Sequence, residues 1–217
     1  MRRPPGSRKR AALGSIRSIG SIDYEASEVI SIGGNRQFGR SVSAAGDVNE
    51  DGLDDLLVTN RRERVFAVSG DDGSVLRSLP GHDVHPIGDA DADGFADFAV
   101  HTAASLPADE AVVGYSGRTG GVLWTVLKEE IPGSTSSDRQ LVSAGDVNGD
   151  GATDVLLTYE TDDFRREARI FSGRNGRLLR THTSASPIAF ARPLGDLNAD
   201  GFDDYGFALS DHTGSML

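Results

Sequence analysis

The segment that decides the fold reads Gly46-Asp47-Val48-Asn49-Glu50-Asp51-Gly52-Leu53-Asp54-Asp55. The same pattern of Gly-Asp, alternating acidic or amide side chains, a second glycine and a last aspartate recurs in Gly88–Asp97, Gly145–Asp154 and Gly195–Asp204. The first aspartates of successive copies lie 42, 57 and 50 residues apart. Recurrence at such intervals indicates that one structural unit is used four times along the chain.

A second motif alternates with the first and predicts a β-hairpin within each repeat. It has the form Ser-Gly-x-x-Gly-x-apolar-apolar and occurs at Ser69–Leu76, Ser116–Leu123 and Ser172–Leu179. A short apolar run precedes each copy, and two apolar runs separated by a glycine-bounded polar turn indicate a hairpin. No segment has a sustained 3.6-residue apolar period. The sequence therefore predicts an all-β fold built from β-propeller blades of four antiparallel strands, as a partial or small propeller with calcium-binding loops.

Each acidic segment fits Asp-x-(Asp/Asn)-x-Asp-Gly-x-x-Asp, a spacing that suits a metal-binding loop. Side-chain oxygens at positions 1, 3, 5 and 9 and the backbone carbonyl at position 7 can converge on one ion. Glycine at position 6 permits the sharp turn that wraps the chain around that ion. The predicted ligands are Asp47, Asn49, Asp51, Leu53, Asp55, Asp89, Asp91, Asp93, Phe95, Asp97, Asp146, Asn148, Asp150, Ala152, Asp154, Asp196, Asn198, Asp200, Phe202 and Asp204.

The chemistry of these ligands favours calcium. Oxygen donors without His or Cys disfavour zinc and copper, and magnesium requires stricter octahedral geometry. An EF-hand would need a glutamate at position 12, where Val58, Val100, Leu157 and Phe207 stand instead. Dockerin repeats share the start of the loop but are helical and more closely spaced. We therefore expect up to four Ca²⁺ ions, held in loops of a β-structure.

The charge pattern agrees with this prediction. The chain has a net charge of −11, and 16 of its 33 acidic residues lie in the four acidic segments. Carboxylates crowded in this way repel one another unless a cation lies among them. No basic stripe occurs outside the N-terminus, which argues against nucleic acid as a partner. No stretch approaches the ~20 apolar residues of a membrane span.

The N-terminal region is predicted to be separate from the repeats. Residues 1–33 indicate a flexible basic segment that could contribute a strand, and they carry no readable export signal. The repeats fill residues 34–217, divided at about 36–82, 83–130, 135–183 and a partial 186–217. The fourth repeat has no hairpin motif, so the chain shows about three and a half repeats. We interpret this as a truncated propeller.

A small closed ring is the alternative to truncation. In that arrangement Ser21–Ile32 would supply the missing outer strands, although this segment lacks the Ser-Gly-x-x-Gly turn. An open stack of blades would instead expose strand edges, and self-association through those edges is then expected.

The stretch Gln37–Asn49, with Phe38-Gly39 ahead of the first acidic segment, resembles the start of an FG-GAP repeat. The resemblance implies a β-propeller in which calcium loops join the two inner strands of each blade, as in integrin alpha subunits and many bacterial surface or secreted proteins. The "GAP" element is absent, because Val58-Thr59-Asn60 and Leu157-Thr158-Tyr159 stand in its place. The later repeats also lack Phe-Gly before the loop.

This resemblance implies a non-catalytic, calcium-stabilised scaffold that recognises an unknown protein or glycan in adhesion. Calcium sites that fill at ~10⁻⁴–10⁻³ M suit extracellular modules, so we expect the protein outside the cell or at its surface. We expect no catalytic residue and no organic cofactor. His82-Asp83-Val84-His85 is interpreted as a polar turn between blades rather than as an acid/base or metal pair.

A fragment of a propeller enzyme, such as a polysaccharide lyase or a quinoprotein-like protein, is the alternative function. Gly120-Gly121-Val122-Leu123-Trp124 resembles the blade-stabilising motif of quinoprotein propellers. Arg77 and Arg180 take the place of the tryptophan in the other repeats.

Overall fold

The structure is a computed structural model that describes residues 38–60, 64–81, 83–102, 110–131, 140–161, 166–184, 186 and 188–209. The chain divides into two compact units, Met1–Gly33 and Gly34–Leu217, and every described residue belongs to the second unit. The predicted N-terminal segment and the proposed closing strands Ser21–Ile32 therefore lie outside the described residues.

Almost all regular structure in the described residues is β-strand, which confirms the all-β prediction. A single 3₁₀ turn, Lys128–Glu130, accompanies the strands within those residues. The strands are β1 Phe38–Gly46, β2 Asp55–Asn60, β3 Arg64–Val68, β4 Val75–Pro80, β5 Asp83–Gly88, β6 Asp97–His101, β7 Glu110–Tyr115, β8 Val122–Leu127, β9 Gln140–Gly145, β10 Asp154–Glu160, β11 Arg166–Phe171, β12 Leu178–Ser184, β13 Ile188–Gly195 and β14 Asp204–Leu209.

The strands form three four-stranded antiparallel sheets and one hairpin. Strands β1–β4, β5–β8 and β9–β12 each pair in chain order and are here called blades 1, 2 and 3. Strands β13 and β14 pair with each other and are here called the half-blade, Ile188–Leu209. The first strands contact one another in succession, β1 with β5, β5 with β9 and β9 with β13. The first strand of each blade is therefore innermost, and the fourth is outermost.

Burial along the strands follows from this arrangement. The second strand of a blade is covered on both faces by neighbouring blades, so it is nearly continuously apolar. In β6 all five residues are buried, and in β10 six of seven are. The outermost strands have only one covered face, and β8 alternates between buried and more exposed positions accordingly.

In the described part of the chain the core consists of three apolar clusters, one at each interface between successive blades and one between blade 3 and the half-blade. Blade 1 packs on blade 2, blade 2 packs on blade 3, and blade 3 packs on the half-blade. Representative pairs are Leu57 with Phe98, Ile87 with Val155, and Leu156 with Ala191. The third cluster is less enclosed, because every residue of β14 is only partly buried. Among the described residues, no helix has the length and apolar character needed to cross a membrane.

Candidate metal centre

The four acidic segments form the loops between the first and second strands of the three blades and of the half-blade. In blade 2, for example, β5 ends at Gly88 and β6 begins at Asp97. The Thr153 N–H of the third loop donates to the carbonyl of Ile87, at the end of β5, and the Asp203 N–H donates to the Asp146 carbonyl, both at 2.9 Å. A Cβ on Gly46, at the start of the first loop, would lie 2.9 Å from the Cβ of Ala96 in the second. The four loops therefore lie side by side at one end of the inner strands.

The loop of blade 2 is closed by its own backbone and carboxylates. The Asp93 N–H donates to Asp89 Oδ1 at 2.9 Å and to Asp91 Oδ1 at 3.1 Å. The Gly94 N–H donates to Asp89 Oδ2 at 2.9 Å. The Phe95 N–H donates to Asp93 Oδ1 at 3.0 Å. These bonds hold the side chains at positions 1, 3 and 5 towards the inside of the loop.

The other three loops close in the same way. The position-6 glycine N–H donates to the position-1 carboxylate at 2.9 Å in each of them. The position-5 N–H donates to positions 1 and 3 at 2.8–3.2 Å. Position 3 is asparagine in these loops. In two of them its Nδ2 donates to the position-5 carboxylate, Asn49 to Asp51 at 3.0 Å and Asn148 to Asp150 at 2.9 Å.

Two residues of each loop adopt left-handed backbone. Position 6 has φ between 85° and 92° in all four loops, as the glycine there predicts. Position 4 is left-handed as well, and three of its occupants carry a Cβ: Glu50 (φ 59°), Ala92 (φ 63°) and Ala199 (φ 58°). Such a residue costs about 1–2 kcal/mol relative to the right-handed conformation. The sequence did not indicate this second strained position.

The position-9 aspartate joins its loop to the outer hairpin of the same blade. In blade 2, Asp97 Oδ2 accepts the Ala90 N–H at 2.8 Å and Oδ1 accepts the Gly117 N–H at 2.9 Å. Asp55 and Asp154 make the equivalent pairs of bonds in blades 1 and 3. All three side chains are fully buried. Burial of a carboxylate is tolerated when several N–H groups donate to it.

The first residue after the serine of each Ser-Gly-x-x-Gly turn must be glycine, because a backbone carbonyl of the acidic loop lies too close to leave room for a Cβ. A Cβ on Gly117 would overlap the Ala96 carbonyl oxygen, well inside the 3.0 Å that real Cβ atoms respect. Gly70 and Gly173 face the equivalent carbonyls of Asp54 and Thr153. The turn therefore lies against the acidic loop backbone to backbone. The second glycine of the turn has φ near 70°, as expected.

Burial shifts the protonation of two of these aspartates. It raises the pKa of Asp97 above its ordinary value, although the Gly117 and Ala90 N–H groups oppose the shift. It raises the pKa of Asp154 to about 7, again against its N–H donors, and the carboxylates of Asp150 and Asp146 add to the rise. A cation among these groups would favour the charged forms.

The donor set of blade 2 fits a calcium ion. Carboxylate oxygens of Asp89, Asp91 and Asp97 lie within 4.8 Å of one another. One ion with Ca–O bonds of about 2.3–2.6 Å can span that separation. Asp89 and Asp91 are exposed, so the site opens to solvent. The structure thus brings together three predicted side-chain ligands of this loop, with the fourth, Asp93, held in the same turn.

The remaining predicted ligands occupy equivalent places, but their surroundings differ. Asp150 Oδ2 accepts the Ser172 hydroxyl at 2.9 Å, and the Asp150 carbonyl accepts Arg174 Nη1 at 2.8 Å. The position-7 residues Phe95 and Ala152 are buried, whereas Leu53 and Phe202 are exposed. Their assignment as ligands stays a prediction.

Side chains on the outermost strands tie successive blades together, which sequence reasoning missed. Arg77 donates through Nε to the Gly117 carbonyl at 2.8 Å, and through its other nitrogens to Arg118 and Thr119 carbonyls. Trp124 occupies the matching position in blade 2 and donates through Nε1 to the Gly173 carbonyl at 2.8 Å. The sequence had aligned Arg77 with Trp124, and the N–H groups that both side chains carry were the signal that could have indicated these bonds.

Asp83, Val84 and His85 lie in β5, the innermost strand of blade 2, so the prediction of a polar turn between blades was wrong for these three residues. Asp83 Oδ1 lies 3.8 Å from His85 Nε2, and Asp83 Oδ2 accepts the Leu141 N–H at 3.3 Å. Burial lowers the pKa of His85, although the Asp83 carboxylate opposes the shift. Because Asp83 is bonded to the neighbouring blade, it serves the interface between blades 2 and 3. His82 lies outside the described residues.

Comparisons with known proteins agree with this architecture. The FG-GAP repeat family model matches residues 38–76, which run from β1 to the start of β4. A comparison with curated protein sequences finds no match. The crystal structure of rhamnogalacturonan lyase YesW aligns with a TM-score of 0.53 and 19% identity, over 82% of this chain and 42% of that chain. The chain therefore spans less than half of that structure.

Two further solved structures align less closely. The computationally designed Ika4 protein has a TM-score of 0.45 and 15% identity, over 75% of this chain and 82% of that chain. BBS1N in complex with ARL6DN has a TM-score of 0.42 and 9% identity, over 87% and 65%. Blade 1 thus contains an FG-GAP repeat, and the fold is that of a partial β-propeller.

Proposed function

We propose that this chain is a calcium-stabilised β-propeller scaffold that recognises a protein or glycan in adhesion and performs no catalysis. The observation that carries the proposal is the repeated loop closure, together with the convergence of Asp89, Asp91 and Asp97 in blade 2. The FG-GAP match at residues 38–76 supports it, because the resemblance implies calcium loops at these positions.

Calcium would act here as a structural staple. Side-chain oxygens at positions 1, 3, 5 and 9 would hold the ion, and the position-7 carbonyl would complete the set. A bound ion would offset the repulsion between carboxylates within each loop. Because the position-9 aspartate also accepts a hydrogen bond from the outer hairpin in blades 1 to 3, the ion would help to hold the inner and outer halves of these blades together. At a calcium concentration ten times the Kd, each site adds about 1.4 kcal/mol to the free energy of unfolding. Four such sites would add about 5–6 kcal/mol.

The proposal places the protein outside the cell or at its surface. Extracellular calcium is abundant enough to fill weak sites, with Kd values of about 10⁻⁴–10⁻³ M. The protein or glycan ligand would bind on surfaces of the blades, and the loops would fix the positions of those surfaces relative to one another.

The rhamnogalacturonan lyase alignment does not extend that enzyme's activity to this chain. At 19% identity over 42% of the lyase, the alignment concerns the fold. We therefore expect that the purified chain does not cleave rhamnogalacturonan at a protein concentration at which a control lyase degrades it. Cleavage that scales with the amount of this chain would refute the non-catalytic part of the proposal.

Thermal unfolding in defined metal tests the calcium part. The melting temperature of the full chain would be measured in millimolar calcium, in magnesium after EDTA, and in EDTA alone. A gain of 5–6 kcal/mol corresponds to a rise of about 10–20 °C in calcium for a chain of this size. Magnesium should give a much smaller rise. Equal melting temperatures in all three buffers would refute the proposal.

A matched pair of variants locates the effect. Asp91→Ala removes one predicted ligand of the blade 2 loop and should reduce the calcium-dependent rise by about a quarter. Asp71→Ala removes an exposed carboxylate from the outer turn of blade 1 and should leave the rise unchanged. An equal reduction in both variants would indicate general charge screening rather than a bound ion.

A further inference from the structure

We propose that Asn148 is a site of spontaneous deamidation, at which the nitrogen of Gly149 displaces the side-chain amide without the help of an enzyme. Position 3 of the acidic loop is an asparagine followed by glycine in blade 3 and in no other repeat. The second Asn-Gly pair of the chain is Asn175-Gly176, in the outer turn of the same blade. The inference concerns a covalent modification and does not depend on calcium.

Deamidation at an Asn-Gly pair is an intramolecular displacement. Once its proton has been removed, the nitrogen of Gly149 forms a bond to Cγ of Asn148, and the bond from Cγ to Nδ2 breaks. Nδ2 takes up a proton and leaves as ammonia, and a five-membered succinimide ring remains. Water then opens the ring at one of its two carbonyls, which gives either an aspartate or an isoaspartate. In sum, one water is consumed and one ammonia is released, without an oxidant or a reductant.

The nucleophile of this reaction is held on a carboxylate. The Gly149 N–H donates to Asp146 Oδ1 at 2.7 Å. The carboxylate is therefore in place to accept the proton that must leave the nitrogen before it attacks. Within the described residues, the position-4 N–H groups of the other three loops make no bond of this kind. A base on the attacking nitrogen thus distinguishes the loop of blade 3.

The amide that is attacked is polarised by its own hydrogen bonds. The Asp150 N–H donates to Asn148 Oδ1 at 2.8 Å, and Asn148 Nδ2 donates to Asp150 Oδ2 at 2.9 Å. The N–H donor stabilises the negative charge that develops on Oδ1 when the Gly149 nitrogen adds to Cγ. A bond from this side chain to the backbone two residues on also folds the side chain back towards the Gly149 nitrogen.

The surroundings leave room for the attack and for water. A Cβ at Gly149 would lie 2.7 Å from the Phe202 ring, and the residue has a left-handed φ of 73°. Without a side chain, the nitrogen is not hindered in its approach to Cγ. Asn148 is only partly buried and lines an open cavity of about 730 Å³. Water can therefore reach the succinimide, and ammonia can leave.

Three other asparagines lack one of these features and serve as internal controls. Asn49 and Asn198 accept the same position-5 N–H, but each precedes a residue that carries a Cβ. Asn175 precedes glycine and accepts the Arg177 N–H at 3.0 Å. The Gly176 N–H, however, donates to a backbone carbonyl, which is a far weaker base than a carboxylate. The chain thus separates the effect of the following glycine from the effect of the base.

Either product changes the loop of blade 3. An aspartate at position 3 matches Asp91 of blade 2, whose Oδ1 accepts the equivalent N–H at 3.1 Å, so the loop backbone can be kept. The bond from Asn148 Nδ2 to Asp150 is then replaced by two facing carboxylates, which repel each other unless a cation lies between them. An isoaspartate instead adds one carbon atom to the main chain and disrupts the closing hydrogen bonds.

Peptide mapping by mass spectrometry tests the proposal on the full-length chain. The chain would be incubated at neutral pH in water labelled with heavy oxygen, once unfolded in urea and once folded. The folded sample would contain EDTA, so that no metal competes for Asp146, and would be kept below the melting temperature measured in EDTA. The label enters the new carboxyl group, so it separates deamidation during the incubation from deamidation during digestion.

The two Asn-Gly pairs should differ only in the folded chain. In urea, Asn148 and Asn175 should deamidate at similar rates, because glycine follows both. In the folded chain, Asn148 should react at least about tenfold faster than Asn175, because a positioned base and an N–H donor to the developing oxyanion act there. Asn49 and Asn198 should stay unlabelled over the same time.

A pair of variants tests the role of the carboxylate. Asp146→Asn keeps an oxygen at the same place but removes the base, so deamidation at Asn148 should slow by at least about tenfold, while the rate at Asn175 stays the same. Asp71→Asn makes the same change of charge in the outer turn of blade 1 and should leave the rate at Asn148 unchanged. Trp124 fluorescence would verify that each variant is folded.

Three results would overturn the proposal. Equal rates at Asn148 and Asn175 in the folded chain would show that the loop adds nothing to the Asn-Gly sequence. Slower reaction of Asn148 in the folded chain than in urea would show that its hydrogen bonds protect the amide. An unchanged rate in folded Asp146→Asn would show that the carboxylate is not the base. None of these results bears on calcium binding, because the rates are measured without metal.

Discussion

Replacing Gly117 with alanine tests whether the acidic loop and the outer hairpin of a blade depend on one close backbone contact. The φ of Gly117 lies outside the left-handed region, so alanine can adopt it without strain. The whole effect must come from the new Cβ, which would overlap the Ala96 carbonyl oxygen. Backbone cannot move aside as the end of a flexible side chain can.

The expected magnitude follows from what must shift. Relief of the overlap moves the turn away and breaks the bond from the Gly117 N–H to Asp97 Oδ1, which is 2.9 Å long and buried. Loss of a hydrogen bond to a charged group costs about 1.5–3 kcal/mol. Overpacking adds about 1–3 kcal/mol. We therefore expect Gly117→Ala to lower the free energy of unfolding by about 3–5 kcal/mol.

Two other glycines of blade 2 provide matched controls. Gly94 has open space for a Cβ but a φ of 92°, so Gly94→Ala should cost only the conformational strain of about 1–2 kcal/mol. Gly121 has no left-handed φ, and a Cβ there would meet only the end of the Thr119 side chain, so Gly121→Ala should change stability by less than about 0.5 kcal/mol.

Urea unfolding at constant calcium concentration measures the free energy of unfolding of all three variants. The dependence of that free energy on urea concentration must be the same in each variant for the values to be compared. A Gly117→Ala variant within about 1 kcal/mol of the unaltered chain would refute the reasoning, because the turn would then not be pressed against the loop. A Gly121→Ala loss as large as that of Gly117→Ala would refute it as well.

Three further predictions concern the loops and the blade interfaces. Ala92→Gly should raise the free energy of unfolding by about 0.5–1 kcal/mol in urea, because the relief of left-handed strain exceeds the entropy cost of glycine; a loss would contradict the observed φ. Trp124→Phe should lower it by about 1–2 kcal/mol, because the buried Gly173 carbonyl loses its indole N–H donor; an unchanged value would show that the bond between blades contributes nothing. In EDTA, the melting temperature measured by calorimetry should fall as the pH rises from about 4 to 7. The pKa of Asp154 is raised to about 7 in the folded state, against an ordinary value of 3.8, so the folded state binds more protons than the unfolded state over this range. A melting temperature that rises over the same range would contradict that pKa.

The sequence was sufficient for the repeat architecture because its signals are local. Glycines at the turns and short apolar runs between them predicted the strands, and the structure has four-stranded blades where those runs recur. The loops were recognisable for the same reason: their closing hydrogen bonds join residues two to five positions apart.

Contacts between distant residues could not be predicted in the same way. The spacing of the loop assigned Asp97 only as a ligand, but its bond to Gly117 spans twenty positions and appears only once the hairpin folds back. The sequence placed Arg77 and Trp124 at equivalent positions, but it did not indicate that each side chain donates a hydrogen bond to a backbone carbonyl of the next blade. Residues that act through the backbone of another blade leave no periodic signal.

The most direct test of the central claim is a count of bound calcium. The full chain and its Asp91→Ala variant would be dialysed to equilibrium in millimolar calcium, and bound metal would be determined by atomic absorption. We expect up to four ions per chain, and one fewer in the variant, because Asp91 belongs to the loop in which three carboxylates lie within 4.8 Å of one another. If the chain binds no calcium, or if the variant binds as much as the unaltered chain, the four loops are turns stabilised by their own hydrogen bonds and the account of a calcium-stapled propeller is wrong.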